Sequence, residues 1–489
     1  MFNEFKSIAP HIIQPSLEEL REMARHHERT TEFGSASYIS EIKSRSGKFT
    51  SISTDDGMTD EDFALLEEVK KHLATRELIQ LDRVVAAKSE KIKARLIIPK
   101  EWARIAYGWG TLFWDEGAFD GDPDMLTIDI PDWKERRVLV DPETMTSILC
   151  GTDYIGESKK STLRLAMYHM KKKGGLGLHA GSKRFTARNT QTGKMEDRGA
   201  IFFGLSGTGK STLVCHHCGI NEEGESQAIL QDDVVLFDKT GAAYGTEDNF
   251  YVKTIGVDEE SQPLIYKALT DSSAIMENVM VHEDGIVDFN SDKLTANGRA
   301  VIYRTKMDYT KPEEVDLKLA DRFFFITRNG LMPPIVRLKP AQAAKYFMLG
   351  ETVETGAGDP DEIGQAKRVV GFNPFIIGAP GEEGNQFYEI IKSLPEIRCY
   401  VINTGNIEGS EGVHDISLKE TTAHIRDVMR WAIEWEMDEA TGFEVPKGAD
   451  LHRECFAEGE FGKKWEKIEQ DRKEYLAQYP ALIDEINNA

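Results

Sequence analysis

The sequence predicts an α/β protein of two domains, and three observations lead to this prediction. Its 489 residues exceed what one ordinary hydrophobic core contains. Short β-rich runs alternate with amphipathic helical runs along the chain. The segment FFGLSGTGKSTL, Phe202 to Leu213, has the pattern of a phosphate-binding loop between a strand and a helix. We expect an N-terminal α/β domain over residues 1–175 and a nucleotide- and metal-binding domain over residues 176–489.

Composition narrows the class of protein. The formal net charge of −23 disfavours broad nucleic-acid or anionic-membrane surfaces, so a phosphate site must be a local pocket. The five cysteines are scattered and odd in number, which indicates a reducing compartment rather than a disulfide framework. The N-terminus has no apolar leader segment, and no run approaches the ~18 residues of a membrane span. We expect a cytoplasmic protein without nucleic-acid or membrane partners.

The first domain begins with a predicted helix over residues 59–73. Phe63, Leu66, Val69 and Leu73 recur at helical spacing after a Thr/Asp start, so we expect all four on the buried face. Four β-rich runs follow, separated by turn residues such as DGDPD: ELIQLDRVVAA, KARLIIP, LTIDIP and RRVLV.

The second domain is predicted to start near Gly174–Gly177. The polar segment Ser182–Gly199 is typical of a long hairpin before the buried strand AIFFG. Further strands are predicted at AILQDDVVLFD, RAVIYRT, RFFFITR and CYVINTG, and the segment Trp465–Ile486 is predicted to close the chain as a helix.

The loop after AIFFG carries the most specific motif. Gly204, four residues, then Gly209-Lys210-Ser211 form a complete Walker A pattern. Glycines let backbone N–H groups approach phosphate oxygens, the lysine reaches the β- and γ-phosphates, and the serine hydroxyl can bind a metal. The expected cofactor-binding residues are Gly204, Leu205, Ser206, Gly207, Thr208, Gly209, Lys210, Ser211 and Thr212.

Acidic residues for a cation are predicted at Asp232-Asp233, which end the run AILQDD. Adjacent residues on a strand point to opposite faces, so one of them is expected to be the direct ligand. A solvated turn is the alternative interpretation of this pair.

Two segments before the glycine-rich loop contain further candidate ligand-binding residues. They are GTDYIGESKKS, with Lys159 and Lys160, and GLGLHAGSK, with His179. From composition alone, the lysines fit a solvated helix start and the histidine fits a structural residue.

Eight sequence blocks nevertheless occur in the order found in ATP-dependent phosphoenolpyruvate carboxykinases, and the chain resembles that family from about Ser44 to the C-terminal helix. The blocks are GTDYIGESKKS, LHAGS, FFGLSGTGKST, LQDD, NFYVKTI, MENVMV, VDFNSDKLTANGRAVIY and LMPPIVRLKPAQAAKYFMLG. The resemblance implies the two-domain carboxykinase fold with a P-loop domain. It also implies conversion of oxaloacetate and ATP to phosphoenolpyruvate, ADP and CO2.

The resemblance implies a metal site. Lys160, His179 and Asp233 match the protein ligands of a transition metal, usually Mn2+. A lysine ligand must be a neutral amine, and a neighbouring dication together with the charge of Lys159 would depress its pKa. Ser211 matches the residue that holds a second cation, Mg2+. The implied catalytic residues are Lys159, Lys160, Lys210, Asp232 and Arg299.

The resemblance also implies residues for the acid substrate. These are Arg45, Tyr154, Ser206 and Arg299. Two arginines on a small dicarboxylate make chemical sense because guanidinium groups bind carboxylates bidentately. Arg45 lies in a short block without the usual proline, so a surface arginine is the alternative there.

Some positions depart from the family pattern. Val234-Val235 follow the aspartates where Glu-His is usual, Lys183 stands in HAGSK, and His414-Asp415 occupy the place of a basic nucleotide contact after INTG. These departures leave two alternatives open: a carboxykinase-fold kinase with another small-acid or protein-hydroxyl acceptor, and a nucleotide-binding regulator without turnover. We expect a monomer. The cluster Cys215–Cys218 is not expected to bind zinc, because successive helical residues point in different directions.

Overall fold

The computed structural model describes residues 2–55, 57–205, 207–353 and 366–489, with strands β1 to β29 and helices α1 to α11 numbered in chain order. It contains several sheets with helices between them in sequence, which confirms the mixed α/β class. The chain divides into two compact units, and each unit is assembled from two separate stretches. Unit 1 comprises Met1–His169 and Tyr244–Glu313, and unit 2 comprises Met170–Ala243 and Glu314–Ala489.

Unit 1 contains a mixed seven-stranded sheet in the order β1-β5-β6-β7-β9-β8-β4. Its strands are β1 (Ile12–Ile13), β4 (Thr50–Ile52), β5 (Leu78–Val85), β6 (Ile92–Pro99), β7 (Met125–Ile130), β8 (Arg137–Asp141) and β9 (Thr146–Cys150). β5 to β8 correspond to the four predicted β-rich runs. β5 pairs antiparallel with β6, whereas β7 lies parallel to both β6 and β9.

A second sheet of unit 1, in the order β16-β20-β17-β3-β2, explains why the unit is discontinuous in sequence. Its strands are β2 (Arg29–Thr30), β3 (Ala36–Tyr38), β16 (Phe250–Lys253), β17 (Ile275–Glu277) and β20 (Arg299–Ile302). β3 pairs in parallel with β17, so a strand from the start of the chain closes a sheet with strands from the second stretch. The contiguous domains of the sequence analysis assign this second stretch to the other domain, because strand runs alone do not reveal their partners.

The described residues of unit 1 also form four further α-helices and a two-stranded pair. The helices are α1 (Leu17–Met23), α2 (Asp60–Leu73), α3 (Ala103–Leu112) and α6 (Pro263–Leu269), and the strands are β18 (Met280–Val281) and β19 (Val287–Asp288). α4 (Ile155–Lys172) begins in unit 1 and ends at the start of unit 2.

Helix α2 begins where the sequence predicts it. Thr59 caps it by a reciprocal pair of hydrogen bonds: the N–H of Asp62 donates to the threonine hydroxyl, and the N–H of Thr59 donates to the Asp62 carboxylate. Leu66, Val69 and Leu73 are buried, but Phe63 is 42% exposed. The prediction for Phe63 is therefore wrong. Asp62 occupies the buried position in the first turn, and the buried apolar residues begin at Leu66.

Unit 2 is built on a mixed eight-stranded sheet in the order β13-β11-β12-β21-β25-β22-β29-β28. Its strands are β11 (Ala180–Arg188), β12 (Met195–Phe203), β13 (Ser226–Asp232), β21 (Arg322–Thr327), β22 (Ile335–Leu338), β25 (Arg398–Asn403), β28 (Trp435–Asp438) and β29 (Phe443–Pro446). β11 and β12 form the predicted long hairpin, and β12, β21 and β25 run parallel to one another.

Shorter strands and helices complete unit 2. The strands are β10 (Leu176–Leu178), β14 (Val235–Phe237), β23 (Glu351–Val353), β24 (Ala366–Arg368), β26 (Asn406–Gly409) and β27 (Gly412–Asp415). β10 pairs with β14, and β15 (Ala243–Gly245) lies at the boundary between the units. The helices are α5 (Lys210–Cys215), α7 (Pro340–Leu349), α8 (Pro380–Ser393), α9 (Leu418–Met429), α10 (Glu460–Leu476) and α11 (Asp484–Asn487). The single closing helix predicted from Trp465 is thus two helices, because Pro480 cannot continue the hydrogen-bonded ladder.

The core of unit 2 is rich in aromatic side chains. Phe203, at the end of β12, stacks on Phe325 of β21 with ring centroids 5.0 Å apart, and Phe347 stacks on Phe387 at 4.5 Å. All four side chains are at most 2% exposed. This packing holds the end of β12, and therefore the start of the loop that follows it, in a fixed position.

A buried ion network also belongs to unit 2. Arg472 of α10 donates to both carboxylate oxygens of Glu351, at 2.6 and 3.2 Å, and Arg368 donates to the same carboxylate at 3.0 Å. Arg472 also donates to Glu469 at 2.6 Å. The two guanidinium groups outweigh the effect of burial and lower the pKa of Glu351 from 4.5 to about 2.

Candidate active site

The strand–loop–helix predicted around the Walker A pattern is present in unit 2. β12 ends at Phe203, the glycine-rich loop follows, and α5 begins at Lys210. Gly207 and Gly209 have φ angles of 84° and 93°, in the left-handed region that favours glycine. At Gly204 a Cβ would lie 2.5 Å from the hydroxyl oxygen of Thr208, so a side chain would collide with the loop.

The loop is closed by its own hydrogen bonds. Thr208 donates its backbone N–H and its hydroxyl to the carbonyl of Leu205, at 3.2 and 2.8 Å. Thr404, just after β25, donates its hydroxyl to the carbonyl of Thr208 at 2.8 Å. Ser206 lies outside the described residues, so its predicted contacts with substrate and nucleotide stay predictions.

Lys210, the first residue of α5, faces Asp232 at the end of β13. The Nζ atom of Lys210 lies 3.7 Å from Oδ1 of Asp232, and both side chains are only 11 to 12% exposed. Oδ1 of Asp232 is shielded from solvent and accepts no hydrogen bond from the described residues. Ser211 and Thr212, in the first turn of α5, are half-buried. An ammonium, a carboxylate and a hydroxyl are thus gathered at the N-terminal end of α5.

His179 and Asp233 also meet in unit 2, although 54 residues separate them in sequence. His179 lies between β10 and β11, and its Nδ1 donates to the carbonyl of Phe372 at 2.7 Å. Its Nε2 lies 3.2 Å from Oδ1 of Asp233, which follows β13. In a neutral ring Nε2 carries the lone pair, so it and the carboxylate oxygen are two acceptors that a shared cation can hold together.

Lys159 forms a buried ion pair in unit 1. Its Nζ lies 2.9 Å from Oε1 of Glu247, with both side chains fully buried, and 5.1 Å from the centre of the Tyr251 ring. The sequence analysis expects the positive charge of Lys159 to help lower the pKa of Lys160. Glu247 offsets that charge. Lys160, the next residue of α4, is half-buried.

Arg299 and Tyr154 are brought together in unit 1 by Asn297, a residue that the sequence analysis does not identify. Arg299 donates from Nε and Nη2 to the amide oxygen of Asn297, at 3.1 and 2.8 Å. The amide nitrogen of Asn297 donates to the Tyr154 hydroxyl at 3.2 Å and to the carbonyl of Lys43 at 2.8 Å. Asn297 therefore orients the guanidinium plane relative to the phenol; its place in the block LTANG was the available signal.

A second unpredicted residue, Glu277 of β17, anchors the start of α4. It accepts hydrogen bonds from the Tyr251 hydroxyl at 2.5 Å and from the N–H of Ile155 at 2.8 Å, and Arg104 lies 3.8 Å away. Burial raises the pKa of Glu277 to about 7, although Arg104 opposes the shift. Glu277 thus fixes the helix that carries Lys159.

Arg45 is exposed, but the segment around it is anchored to the same helix. The N–H of the buried Ser46 donates to the Glu157 carboxylate at 2.5 Å, and Arg136 donates to the Ser46 hydroxyl at 2.7 Å. The structure therefore holds the backbone next to Arg45 at the first turns of α4.

Two positions flagged in the sequence have structural roles in unit 2. Lys183 is fully buried and donates to the carbonyl of His216 at 2.5 Å. α5 ends at Cys215, so the expectation that the whole Cys215–Cys218 cluster is helical is wrong. The N–H of Cys218 donates to the ring Nδ1 of His216 at 2.9 Å, a local bond that replaces the helical one.

Comparison with known proteins decides the family. The family model described as phosphoenolpyruvate carboxykinase matches residues 12–451. The chain belongs to the phosphoenolpyruvate carboxykinase family. It is 32% identical over 436 residues to the phosphoenolpyruvate carboxykinase (ATP) of Aeropyrum pernix, which covers 87% of this chain and 86% of that relative. Enzymes of the same name from Mesorhizobium japonicum and Brucella melitensis are each 29% identical, with 78% and 80% of this chain covered, and 71% and 73% of theirs.

The predicted family and enzyme class are thereby confirmed. Membership in this family implies the use of ATP and a divalent metal. All five cysteines carry free thiols, as the sequence analysis expects. Among the helices of the described residues, none combines the length and the apolar character needed to cross a bilayer.

Proposed function

We propose that this protein is an ATP-dependent phosphoenolpyruvate carboxykinase that converts oxaloacetate and ATP to phosphoenolpyruvate, ADP and CO2, reversibly. The observation that carries the proposal is the family match across residues 12–451. The glycine loop ahead of Lys210, the position of Lys210 opposite Asp232, and the hydrogen bonds that join Arg299 and Tyr154 through Asn297 support it. We further propose a monomer, and a location in the cytoplasm, where the reducing conditions suit five free and scattered cysteines.

The experiment that tests this proposal is an acid-substrate panel with purified protein. ATP consumption is measured with oxaloacetate, malate, aspartate and pyruvate in turn, in the presence of Mn2+ and Mg2+, and with several nucleotides. Activity with oxaloacetate alone supports the carboxykinase. Activity only with another acid would refute it in favour of a carboxykinase-fold kinase, and nucleotide binding without turnover would favour a regulator.

The proposed nucleotide site is the P-loop of unit 2. Backbone N–H groups of the loop and Lys210 would bind the β- and γ-phosphates, and Ser211 would hold Mg2+. The family's basic nucleotide contact is replaced by His414, half-buried on β27, and the exposed Asp415. ATP as the preferred nucleotide is therefore a proposal that the nucleotide panel tests.

The donor set at His179 and Asp233 fits a divalent transition metal. The Phe372 carbonyl fixes the tautomer of His179, so that Nε2 faces the Asp233 carboxylate at 3.2 Å. We propose these two residues as Mn2+ ligands, with Lys160 as the third on the family resemblance. When bound, the divalent ions supply positive charge where negative charge develops on substrate and phosphate oxygens.

The side chains of unit 1 are proposed to hold the acid. Arg299, oriented by Asn297, would bind a carboxylate of oxaloacetate bidentately, and Tyr154 would donate its hydroxyl, with Arg45 as a further cation. Loss of CO2 leaves the enolate of pyruvate, whose oxygen attacks the γ-phosphorus in line, and Lys210 follows the migrating charge. Catalysis then consists of positioning and charge neutralisation without a covalent protein intermediate.

His179→Gln is expected to weaken Mn2+ binding at least ~10-fold, because it removes one ligand nitrogen while nucleotide binding in Mg2+ changes little. Electron paramagnetic resonance titration of free Mn2+ measures the affinity. The exposed His282, changed to Gln, is the matched control. Equal Mn2+ affinity in wild type and His179→Gln would exclude His179 as a ligand.

Arg299→Lys is expected to raise the KM for oxaloacetate about tenfold or to depress kcat, with nucleotide affinity unchanged. Lysine keeps the positive charge but cannot bind a carboxylate through two nitrogens as a guanidinium group does. Steady-state kinetics with each substrate varied separates the two effects. Arg337→Lys is the control, because it removes a similar two-nitrogen contact, from Arg337 to the Glu444 carboxylate, outside the predicted site. Wild-type kinetics in Arg299→Lys would remove Arg299 from the substrate site.

A further inference from the structure

A cluster of two histidines and a glutamate lies in unit 2. None of the three is a proposed Mn2+ or Mg2+ ligand, and His414 also occupies the position of the family's nucleotide contact. His414 is on β27, Glu420 is in the first turn of α9, and His452 precedes the short 3-10 helix Arg453–Cys455. The imidazole rings of His414 and His452 stack with centroids 3.6 Å apart and planes 11° from parallel. One ligand atom from each of the three residues lies within 4.8 Å of the others.

Two nearby carboxylates orient the His452 ring. Its Nδ1 lies 3.4 Å from Oε1 of Glu454 and 3.7 Å from Oδ2 of Asp450. Its backbone N–H donates to Asp450 at 2.8 Å. A carboxylate beside one ring nitrogen keeps the proton there and leaves the lone pair on the other, which is the usual arrangement of a metal-binding histidine. Nε2 of His452 is therefore the nitrogen available to a cation.

His414 has the complementary environment. Its Nε2 is shielded from solvent, makes no hydrogen bond within the described residues, and lies 3.4 Å from Oε2 of Glu420. A buried ring nitrogen without a hydrogen bond is costly unless a cation or a proton occupies it. A glutamate carboxylate at this distance supplies the matching negative charge.

The backbone under the cluster is held by packing. Ile407 and Ile416 form a small buried cluster with Cys455 and Phe456. The N–H of Glu411, in the β26–β27 turn, donates to the Cys455 carbonyl at 2.9 Å. These contacts join the hairpin to the segment after His452, so the backbone that carries the two histidines is held in place before any ligand binds.

We propose that His414, Glu420 and His452 form a binding site for a divalent transition metal of the zinc type. Two imidazole nitrogens and one carboxylate suit Zn2+, whereas Mg2+ and Ca2+ prefer sets made of oxygen atoms alone. Tetrahedral ligands at ~2.0–2.1 Å from zinc lie about 3.4 Å apart, which is the distance between Nε2 of His414 and Oε2 of Glu420. The two imidazole rings stack almost parallel, so metal binding requires one ring to rotate out of the stack until a nitrogen of each ring faces the metal. Such a metal would cross-link β27, α9 and the segment at His452.

The test measures Zn2+ bound to the full-length protein. Chelator-treated wild type and variants are dialysed against buffered Zn2+, and bound metal is counted by mass spectrometry; Co2+ absorption spectra report the coordination geometry. The variants are His414→Gln, His452→Gln and Glu420→Gln. Glu420→Gln keeps the helix cap of α9, because that cap is the hydrogen bond from the backbone N–H of residue 420 to the Ser417 hydroxyl. His282→Gln is the matched control, and His179→Gln separates this site from the proposed catalytic one.

The expected result is that each cluster variant binds one Zn2+ fewer than wild type, or binds it at least ~10-fold more weakly. His282→Gln should keep every Zn2+, and His179→Gln should keep the equivalent that His414→Gln loses. Unchanged Zn2+ in His414→Gln and Glu420→Gln would overturn the proposal, as would loss confined to His452→Gln, which would point to Asp450 and Glu454 instead. Failure of the carboxykinase assay leaves this measurement unaffected, because it requires no turnover.

Discussion

Lys210→Ala is expected to lower oxaloacetate-dependent phosphoryl transfer by at least ~10²-fold, because it deletes the cation that follows the migrating charge. The side chain faces the Asp232 carboxylate at 3.7 Å and contributes little to the core. The protein should stay folded, with a free energy of unfolding lower by about 1 kcal/mol, because the mostly buried Asp232 loses its neighbouring cation. Coupled-enzyme kinetics at saturating substrates give the rate, and urea titration gives the stability.

The control for this variant is Lys194→Ala. Lys194 is an exposed lysine at the turn of the β11–β12 hairpin, in the same sheet as the loop. It carries the same charge but no predicted role, so its turnover should match wild type. Wild-type turnover in a folded Lys210→Ala protein would rule out phosphoryl transfer at the glycine loop.

Arg472→Met is expected to destabilise unit 2 by about 3 kcal/mol, because methionine fills much of the volume but leaves buried carboxylates with one cation fewer. Arg472 is fully buried and binds both Glu351 and Glu469. Arg368 stays on Glu351, which is why the loss is placed at the low end of the range for broken buried pairs. The midpoint of urea unfolding, followed by circular dichroism, measures the change.

The pH dependence of the same pair gives a second readout. The pKa of Glu351 is lowered from 4.5 in the unfolded chain to about 2 in the fold, so its contribution to stability is complete above pH 4.5 and is lost as the pH falls toward 2. The difference between wild type and Arg472→Met should narrow over that interval. Lys473→Ala, on the exposed side of α10, should follow wild type throughout. A constant difference at every pH would contradict the assigned role of Glu351.

The parts of the site that depend on nearby sequence could be predicted. The strand, the glycine loop and the first turn at Lys210 are consecutive, and only glycine adopts the φ angles at Gly207 and Gly209 without strain. The link between His179 and Asp233 needed the family resemblance, since neither residue indicates a metal on its own. The structure brings them to 3.2 Å because β10 and β14 pair side by side.

The parts that depend on distant pairing could not be predicted. Asn297 has no chemistry of its own that indicates a role, and only its contacts to Arg299 and Tyr154 show that it joins them. His414 and His452 meet through loop packing, for which a sequence has no periodic signal. Periodicity likewise located the strands of unit 1 without showing that β3 pairs with β17.

The interleaved order of the two units affects how this protein is made on the ribosome. Ala36 of β3 has its partner at Ile275, so this sheet cannot form until 239 further residues have been synthesised. At ~5–20 residues per second this delay amounts to roughly 10–50 s, during which the edge of β3 lacks its neighbour. Formation of the eight-stranded sheet of unit 2 is delayed in the same way, because β12 pairs in parallel with β21, which is synthesised later. Each unit can therefore finish folding only after a segment of the other has emerged, and we expect the nascent chain to expose unpaired strand edges for longer than one with contiguous domains.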